Sequence, residues 1–200
     1  MTKRGLLIVI SGPSGAGKGT ICKDFVKKNN CWISVSATTR GPRVGEIDGV
    51  NYFFISKEDF LKKIEDEDFL EYAEVYGNLY GTPKSKVESV LNSGKDVILE
   101  IDIQGALKIK EKVSEAIFIF ILPPSMEELK QRIIKRGSET PESLTTRFKA
   151  AYQEINFISK YDYAVVNETI EESVNKIQGI ITAEKCRVGR VINDYIDLKE

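Results

Sequence analysis

The 200-residue chain is predicted to adopt an α/β fold in which a parallel sheet is flanked by helices on both faces. Short apolar runs recur along the sequence, and each is followed by a helical pattern, as in repeated strand–helix units. A glycine-rich segment joins the first run to the first helix. The runs predicted as buried strands are residues 6–10, 97–101, 117–122 and 163–166.

Helix starts are marked by capping signals. A serine or threonine followed three residues later by glutamate matches a capping box, and a threonine before proline pairs an N-cap with the favoured first helical residue. The N-caps predicted in this way are Thr82, Ser125, Thr140 and Thr169, and Ser56 is the predicted N-cap of a helix at residues 57–64.

Two intervals interrupt the strand–helix alternation. The first contains short strands around one helix, with Gly-Pro and Asp-Gly turns, and is interpreted as an inserted small β-rich lobe. The second is charged, lies between two helices, and is interpreted as a lid. The predicted division is a core of residues 1–32 and 83–190, a lobe of residues 33–82, a lid of residues 135–147 within the core, and a tail of residues 191–200.

Composition excludes several function classes. Lys and Arg total 29 against 30 Asp and Glu, so no overall basic field favours nucleic-acid binding. The chain has no histidine, which removes imidazole acid–base chemistry and Ser-His-Asp schemes. The longest apolar run, residues 116–122, is too short to span a bilayer. Cys22, Cys31 and Cys186 lack metal-site spacing, so we expect reduced cysteines and a cytoplasmic location.

Residues 11–20 read SGPSGAGKGT and have the context of a phosphate-binding loop, between a strand and a helix. Glycines let the backbone curl its N–H groups around phosphate oxygens, and Lys18 adds a positive charge. The general pattern places Ser or Thr directly after the lysine, whereas here Gly19 follows and the hydroxyl comes at Thr20. The alternative is a glycine-rich turn with a solvated lysine. The candidate phosphate-binding residues are Gly12, Pro13, Ser14, Gly15, Ala16, Gly17, Lys18, Gly19 and Thr20.

Three further groups are candidates for a second ligand. Arg40 and Arg43 flank a Gly-Pro turn and could grip a phosphate, although exposed loop arginines are the alternative. Glu71 lies in an alternating strand pattern and could instead be a solvated edge residue. Glu100 and Asp102 stand at the carboxyl end of a strand, where open α/β sheets bind ligands. Asp102 could equally be a helix N-cap.

Together these blocks resemble the guanylate kinase family, from about Lys3 to Arg190. The matching blocks, in order and spacing, are the loop, Thr38-Thr39-Arg40…Arg43…Gly45-Glu46, Gly77-Asn78…Tyr80-Gly81-Thr82 and Ile101-Asp102…Gln104-Gly105. The resemblance implies a P-loop NTPase-type core that transfers the γ-phosphoryl group of ATP to GMP, and to dGMP. It also implies Mg²⁺, held mainly by phosphates and water near Asp102, with no side-chain ligand assigned.

The resemblance assigns roles residue by residue. The GMP phosphate is bound by Arg40, Arg43, Tyr52 and Tyr80, and guanine by Ser36, Glu71, Thr82 and Asp102. Besides the loop, ATP is bound by Arg132, Arg136 and Asn167. Catalysis is assigned to Lys18, Arg43, Arg136 and Arg147.

The chemistry of guanine agrees with that assignment. Guanine presents N1–H and N2–H₂ donors beside an O6 acceptor, so Glu71 could accept the donors while hydroxyls of Ser36 and Thr82 donate to O6. Adenine reverses the pattern.

Rival interpretations are a ribose bisphosphate kinase and a catalytically inactive guanylate-kinase-like module that binds phosphopeptides. Nucleic-acid binding is the least favoured interpretation because the chain has no net positive charge. No membrane partner is expected. A monomer and a homo-oligomer both stay open.

Overall fold

The computed structural model describes residues 4–75, 77–135 and 141–192. Its central sheet has five parallel strands in the order β2-β7-β1-β8-β9. The four strands predicted from apolar runs are confirmed to within one residue, and the α/β fold class is confirmed. The fifth, at the sheet edge, has three residues, too few for a recognisable pattern. The strands are β1 (Leu7–Ser11), β2 (Cys31–Ile33), β7 (Asp96–Glu100), β8 (Ile117–Leu122) and β9 (Tyr163–Val166).

Helices cover both faces of this sheet because alternate strand residues point to opposite sides. Ile8 and Ile10 pack in one apolar cluster with residues of α1 and α7. Leu7 and Val9 pack in another with residues of α3 and α4. The helices are α1 (Lys18–Lys28), α3 (Lys84–Asn92), α4 (Ile103–Lys112), α5 (Met126–Lys135), α6 (Pro141–Ile155), α7 (Ile170–Lys185) and α8 (Val188–Val191), with a 3₁₀ turn at Asn156–Lys160.

A second, four-stranded sheet follows β2 in the chain, in the order β4-β3-β6-β5. Its own small core holds Ala37, Phe60 and Phe69, with the two phenylalanine rings stacked at 4.5 Å. The elements are β3 (Ala37–Thr38), β4 (Phe53–Phe54), α2 (Lys57–Glu65), β5 (Phe69–Val75) and β6 (Asn78–Pro83).

Capping predictions are mostly confirmed. The hydroxyls of Ser56, Ser125 and Thr169 each accept a bond from the backbone N–H three residues later. The prediction at Thr82 is wrong, since Pro83 occupies the N-cap position of α3 and Thr82 belongs to strand β6, where its hydroxyl bonds a carboxylate across the sheet. Thr140 lies outside the described residues.

Two expectations from composition can be placed in the structure. Cys22 and Cys31 are buried packing residues, whereas Cys186 is exposed. Among the described residues, no helix combines the length and the apolar character needed to cross a bilayer.

The Thr169 cap generates a stability prediction. Thr169→Ala removes the acceptor for the Glu172 N–H at the start of α7, so the free energy of unfolding should fall by about 1 kcal/mol in urea titrations. Thr182→Ala, an exposed change inside the same helix, is the control and should stay within about 0.5 kcal/mol of the wild type. Equal losses for the two variants would contradict the assigned cap.

Candidate active site

An open cavity of about 370 Å³ joins the loop after β1 to the second sheet. Residues from both parts of the chain line it together, so the tertiary structure brings the two predicted binding regions onto one surface. The predicted residues that line it are Gly12, Ser14, Gly15, Gly17, Lys18, Gly19, Ser36, Arg43, Tyr52, Glu71, Tyr80 and Asp102.

The loop after β1 is wrapped around its own lysine. The ammonium nitrogen of Lys18 donates to the carbonyl oxygens of Gly12, at 2.6 Å, and Pro13, at 3.1 Å. Gly17 is the N-cap of α1 with φ 94°, a left-handed conformation that favours glycine, and no side chain caps the helix. Amides of the first helical turn and the positive end of the helix therefore face the loop, as an anion site requires. This geometry disfavours the alternative of a solvated lysine.

Asn167, which follows β9, is hydrogen-bonded to the phosphate-binding loop. It is 2% exposed; its Nδ2 donates to the carbonyl oxygen of Ala16 at 2.7 Å, and its Oδ1 accepts from the Ser173 hydroxyl at 3.2 Å. A Cβ at Gly17 would lie 2.4 Å from that Nδ2, so the loop approaches too closely for a side chain. Both ends of the amide are bonded within the protein, so Asn167 anchors the loop. Its predicted role in ATP binding stays a prediction.

Arg132 on α5 lies next to the loop, as its predicted role requires. Its Nη1 is 3.9 Å from the position a Cβ would take at Gly17, and its Nη2 donates to Glu128 Oε1 at 2.7 Å. Arg136 and the side chain of Arg147 lie outside the described residues, as does most of the predicted lid at residues 135–147. Their assigned roles stay predictions.

Arg40 is held in place by Glu46. Its two terminal nitrogens donate to the two carboxylate oxygens, each at 3.0 Å, and Glu46 also accepts from the Arg43 backbone N–H at 2.7 Å. The hydrogen-bonded pair raises the pKa of Arg40 and lowers the pKa of Glu46. Sequence reasoning gave Glu46 no role, although its spacing of six residues from Arg40 across a Gly-Pro turn was the available signal.

Two tyrosines border the same guanidinium. The Arg40 guanidinium carbon is 5.5 Å from the Tyr52 ring centroid, and the Tyr52 and Tyr80 rings meet edge to face at 5.9 Å. Arg43 is exposed, but it lines the cavity beside these rings. Of the groups predicted to hold a phosphate, Arg43, Tyr52 and Tyr80 line the cavity. Arg40 lies against Tyr52 but is not itself among the residues that line it.

Glu71 is a buried carboxyl at the other side of the cavity. It is 4% exposed, and it lies opposite Thr82 in the β5–β6 pair, whose hydroxyl donates to Glu71 Oε1 at 2.8 Å. Burial raises the pKa of Glu71 to about 7, against the lowering effect of the Thr82 bond, and the nearby negative charge of Asp102 also raises it. The alternative of a solvated edge glutamate is therefore wrong.

Asp102 is a helix N-cap that also faces the cavity. Its side chain caps α4 by accepting from the Gly105 N–H at 2.9 Å, and it also lines the cavity. Glu100, from the end of β7, lines the cavity too. Within the described residues no group of three His, Cys, Asp or Glu could hold a metal ion. The oxygens of Glu100 and Asp102 suit a hard cation, but such an ion would need most of its ligands from phosphates and water.

One charged lining residue, Glu154, was missed by sequence reasoning. Glu154 of α6 accepts from the Ser14 N–H at 3.4 Å, and burial raises its pKa while Lys18 opposes that shift. It follows the buried Ala151 by three residues in the same helix. A carboxylate at helical spacing beside a buried alanine was the only signal, and it does not distinguish a site residue from a surface one.

Comparisons with known proteins agree with this geometry. The guanylate kinase family model matches residues 4–184. A guanylate kinase of Clostridium perfringens is 69% identical over 198 residues, covering 98% of this chain and 92% of the relative, and one of Clostridium tetani is 67% identical over 198 residues, covering 99% and 95%. A crystal structure of guanylate kinase from Anaplasma phagocytophilum is 37% identical, with a TM-score of 0.80 and coverage of 94% of this chain and 90% of that one.

The buried Glu71 carboxyl generates a pH prediction. Because its pKa is raised in the folded protein from 4.5 to about 7, the folded state holds a proton that the unfolded chain releases. The contribution of this proton to stability is therefore fully present below pH 4.5. The free energy of unfolding should fall as the pH rises from 4.5 to 7. Glu71→Gln should reduce this fall by an amount on the order of 3 kcal/mol.

Urea titrations at several pH values check this, with Glu74→Gln as the control. Glu74 is exposed on the same strand, so its replacement should leave the pH dependence as in the wild type. The same slope in Glu71→Gln and wild type would show that Glu71 ionises normally.

Proposed function

The chain belongs to the guanylate kinase family, and we propose on that basis that its cleft transfers the γ-phosphoryl group of ATP to GMP, giving ADP and GDP. One observation carries the proposal: a single cavity is lined by the lysine and glycines of a phosphate-binding loop and by a buried carboxyl suited to guanine. Donor and acceptor can then meet in one cavity. Phosphoryl transfer depends on such positioning and on charge neutralisation.

ATP binds at the loop end. Backbone N–H groups of residues 14–20 surround its phosphates, and Lys18, already oriented by the Gly12 and Pro13 carbonyls, meets the charge on the transferring group. Arg132 lies beside this loop. Arg136 and Arg147 are proposed to close over the phosphates from the lid, as the family resemblance implies. The proximity of Arg132 to Gly17 supports this arrangement.

The GMP phosphate binds at the opposite end, to Arg40, Arg43, Tyr52 and Tyr80. Glu46 holds the Arg40 guanidinium in a fixed orientation, so little side-chain entropy is lost when phosphate binds. Arg43 then lies between the two substrates and contributes to catalysis. Arginines that stabilise a phosphoryl-transfer transition state contribute about 10³ to 10⁵ in rate.

Guanine binds against Glu71, and Ser36 and Asp102 line the same cavity. The carboxylate accepts N1–H and N2–H, while the Ser36 hydroxyl donates to O6. The role of Thr82 changes, because its single hydroxyl proton is already donated to Glu71 and is not available to O6 while that bond lasts. Thr82 instead orients the carboxylate that recognises the base.

Binding of guanine requires the ionised form of Glu71. Since burial holds the pKa of the free carboxyl at about 7, GMP binding is expected to release a proton near neutral pH. The acceptor needs no general base, because a phosphate monoester with a second pKa of about 6 is largely dianionic at pH 7.

Mg²⁺ would be held mainly by the phosphates of ATP and by water, near Asp102, and would neutralise charge between the phosphates. The assigned acceptor residues contact base and phosphate rather than ribose, so dGMP is proposed as a second acceptor, and the reaction as a step in guanine nucleotide recycling. A cytoplasmic location is supported by three free cysteines. The division into core, lobe (residues 33–82) and lid is proposed on the separate second sheet.

Lys18 provides the first test of this proposal. Lys18→Ala should lower kcat by about 10²- to 10³-fold, because the charge is needed most in the transition state. Lys27→Ala, an exposed change on the same helix, is the control and should keep full turnover. Steady-state assays with ATP, Mg²⁺ and GMP measure both. A Lys18→Ala protein with wild-type kcat and unchanged melting temperature would overturn the donor-site assignment.

Glu71 provides the second test, which concerns base selection. Wild type should reject AMP relative to GMP by roughly 10⁴ to 10⁵. Glu71→Gln turns an acceptor into a donor that faces guanine donors, so kcat/KM for GMP should fall by about 10- to 100-fold. The KM for ATP should stay within about twofold, since the loop is untouched. A panel of GMP, AMP, CMP, UMP and ribose bisphosphate tests this, and equal rates for GMP and AMP would contradict it.

A further inference from the structure

Gly105, in the first turn of α4, lies directly against the carboxyl group of Glu71. A Cβ at this position would lie 2.8 Å from Glu71 Oε2 and 3.2 Å from its carboxyl carbon, closer than real Cβ atoms approach. The other neighbour of that position, Ile101 Cδ1, is at 3.5 Å, an ordinary contact. The space that a methyl group would need is therefore taken by Glu71 alone.

The helix itself does not require glycine here. Gly105 is not among the described glycines with positive φ, and it lies within the helical span of α4. Alanine is a better helix former than glycine, so the backbone would accept the larger residue. Its N–H donates to the Asp102 cap, a bond that alanine also makes. The reason for a glycine at residue 105 therefore lies in the Glu71 carboxyl that it contacts.

The surroundings of Glu71 decide which group would move. The residue is paired in the β5–β6 ladder, and its Oε1 is held by the Thr82 hydroxyl at 2.8 Å. The clashing Oε2 is the far end of a side chain that rotates about single bonds. A methyl group at residue 105 would thus leave the fold intact and turn the carboxyl away from its bond with Thr82.

We propose that Gly105 is a positioning residue for base selection: the absence of a side chain lets the Glu71 carboxyl stay at the depth where it meets N1–H and N2–H of guanine. This inference rests on the proposed binding of GMP. Misplacement of a recognition group by about 1 Å can lower the rate as much as 10²-fold.

The test uses Gly105→Ala in the full chain, with Gly179→Ala as the matched control. Gly179 is also a helical glycine, but a Cβ there meets nothing within 4 Å. Gly105→Ala should lower kcat/KM for GMP by about 10- to 100-fold, chiefly through the KM for GMP, with the KM for ATP within about twofold. Inosine monophosphate lacks the 2-amino group of GMP. The ratio of kcat/KM for GMP to kcat/KM for inosine monophosphate should therefore also decrease in Gly105→Ala. Gly179→Ala should match the wild type in all of these.

A double-mutant cycle separates the contact from a general effect. In a Glu71→Ala background the clashing atoms are absent, so Gly105→Ala should change kcat/KM for GMP by less than about twofold. An equal loss in both backgrounds, wild-type GMP kinetics in Gly105→Ala, or failure of Gly105→Ala to fold would each overturn the proposal. Failure to fold would mean that the added methyl group displaces the backbone rather than the Glu71 carboxyl.

Wild type is assayed first, which keeps the two proposals distinguishable. If wild type phosphorylates no GMP, the proposed function fails. If wild type is active and selective but Gly105→Ala is indistinguishable from it, only the role of Gly105 fails.

Discussion

A carboxyl group buried where the second sheet meets α4 constrains much of this molecule. Removing the charge of Glu71 from water is unfavourable, which is why its pKa rises toward 7. The protein compensates with a hydroxyl from the paired strand, and it leaves room by having no side chain at Gly105. The β5–β6 register and the approach of α4 must both be right for this group to be accommodated. A ligand with two convergent hydrogen-bond donors can supply the remaining hydrogen bonds that the Glu71 carboxylate lacks in the protein alone.

The two phosphate ends of the cleft are built by different means. At the donor end, backbone amides and one lysine form the site, and the bonds from Lys18 to Gly12 and Pro13 fix both loop and charge. At the acceptor end, a guanidinium is fixed by the carboxylate of Glu46. Backbone N–H groups suit a polyphosphate that runs along a loop, whereas a planar guanidinium fork suits a single phosphate group. Each end is organised before substrate arrives, which lowers the entropy lost on binding.

The loop also depends on distant parts of the chain. Asn167, after the last strand, bonds the Ala16 carbonyl, and Ser173 of α7 bonds Asn167 in turn. These residues meet because the carboxyl ends of parallel strands lie along one edge of the sheet, where β1 and β9 are separated only by β8. Glu154 of α6 reaches the same loop through the Ser14 N–H. The loop therefore contacts α6 through Glu154 and α7 through Asn167 and Ser173.

Local chemistry explains what could be predicted from the sequence. The four longer strands of the central sheet, the caps at Ser56 and Thr169, and the phosphate-binding loop all depend on residues close together in the chain, so their spacing reveals them. The three-residue edge strand, the Glu46 clamp on Arg40 and the contact of Glu154 with the loop left too weak a local signal. The sequence by itself determined which groups are available: a lysine in glycines, paired arginines, a glutamate on a strand. Only the tertiary structure decided that Thr82 serves Glu71 rather than a helix start, that Asn167 anchors the loop, and that Gly105 faces a carboxyl. Each of those outcomes depends on burial and on contacts between elements distant in sequence, which no local pattern encodes.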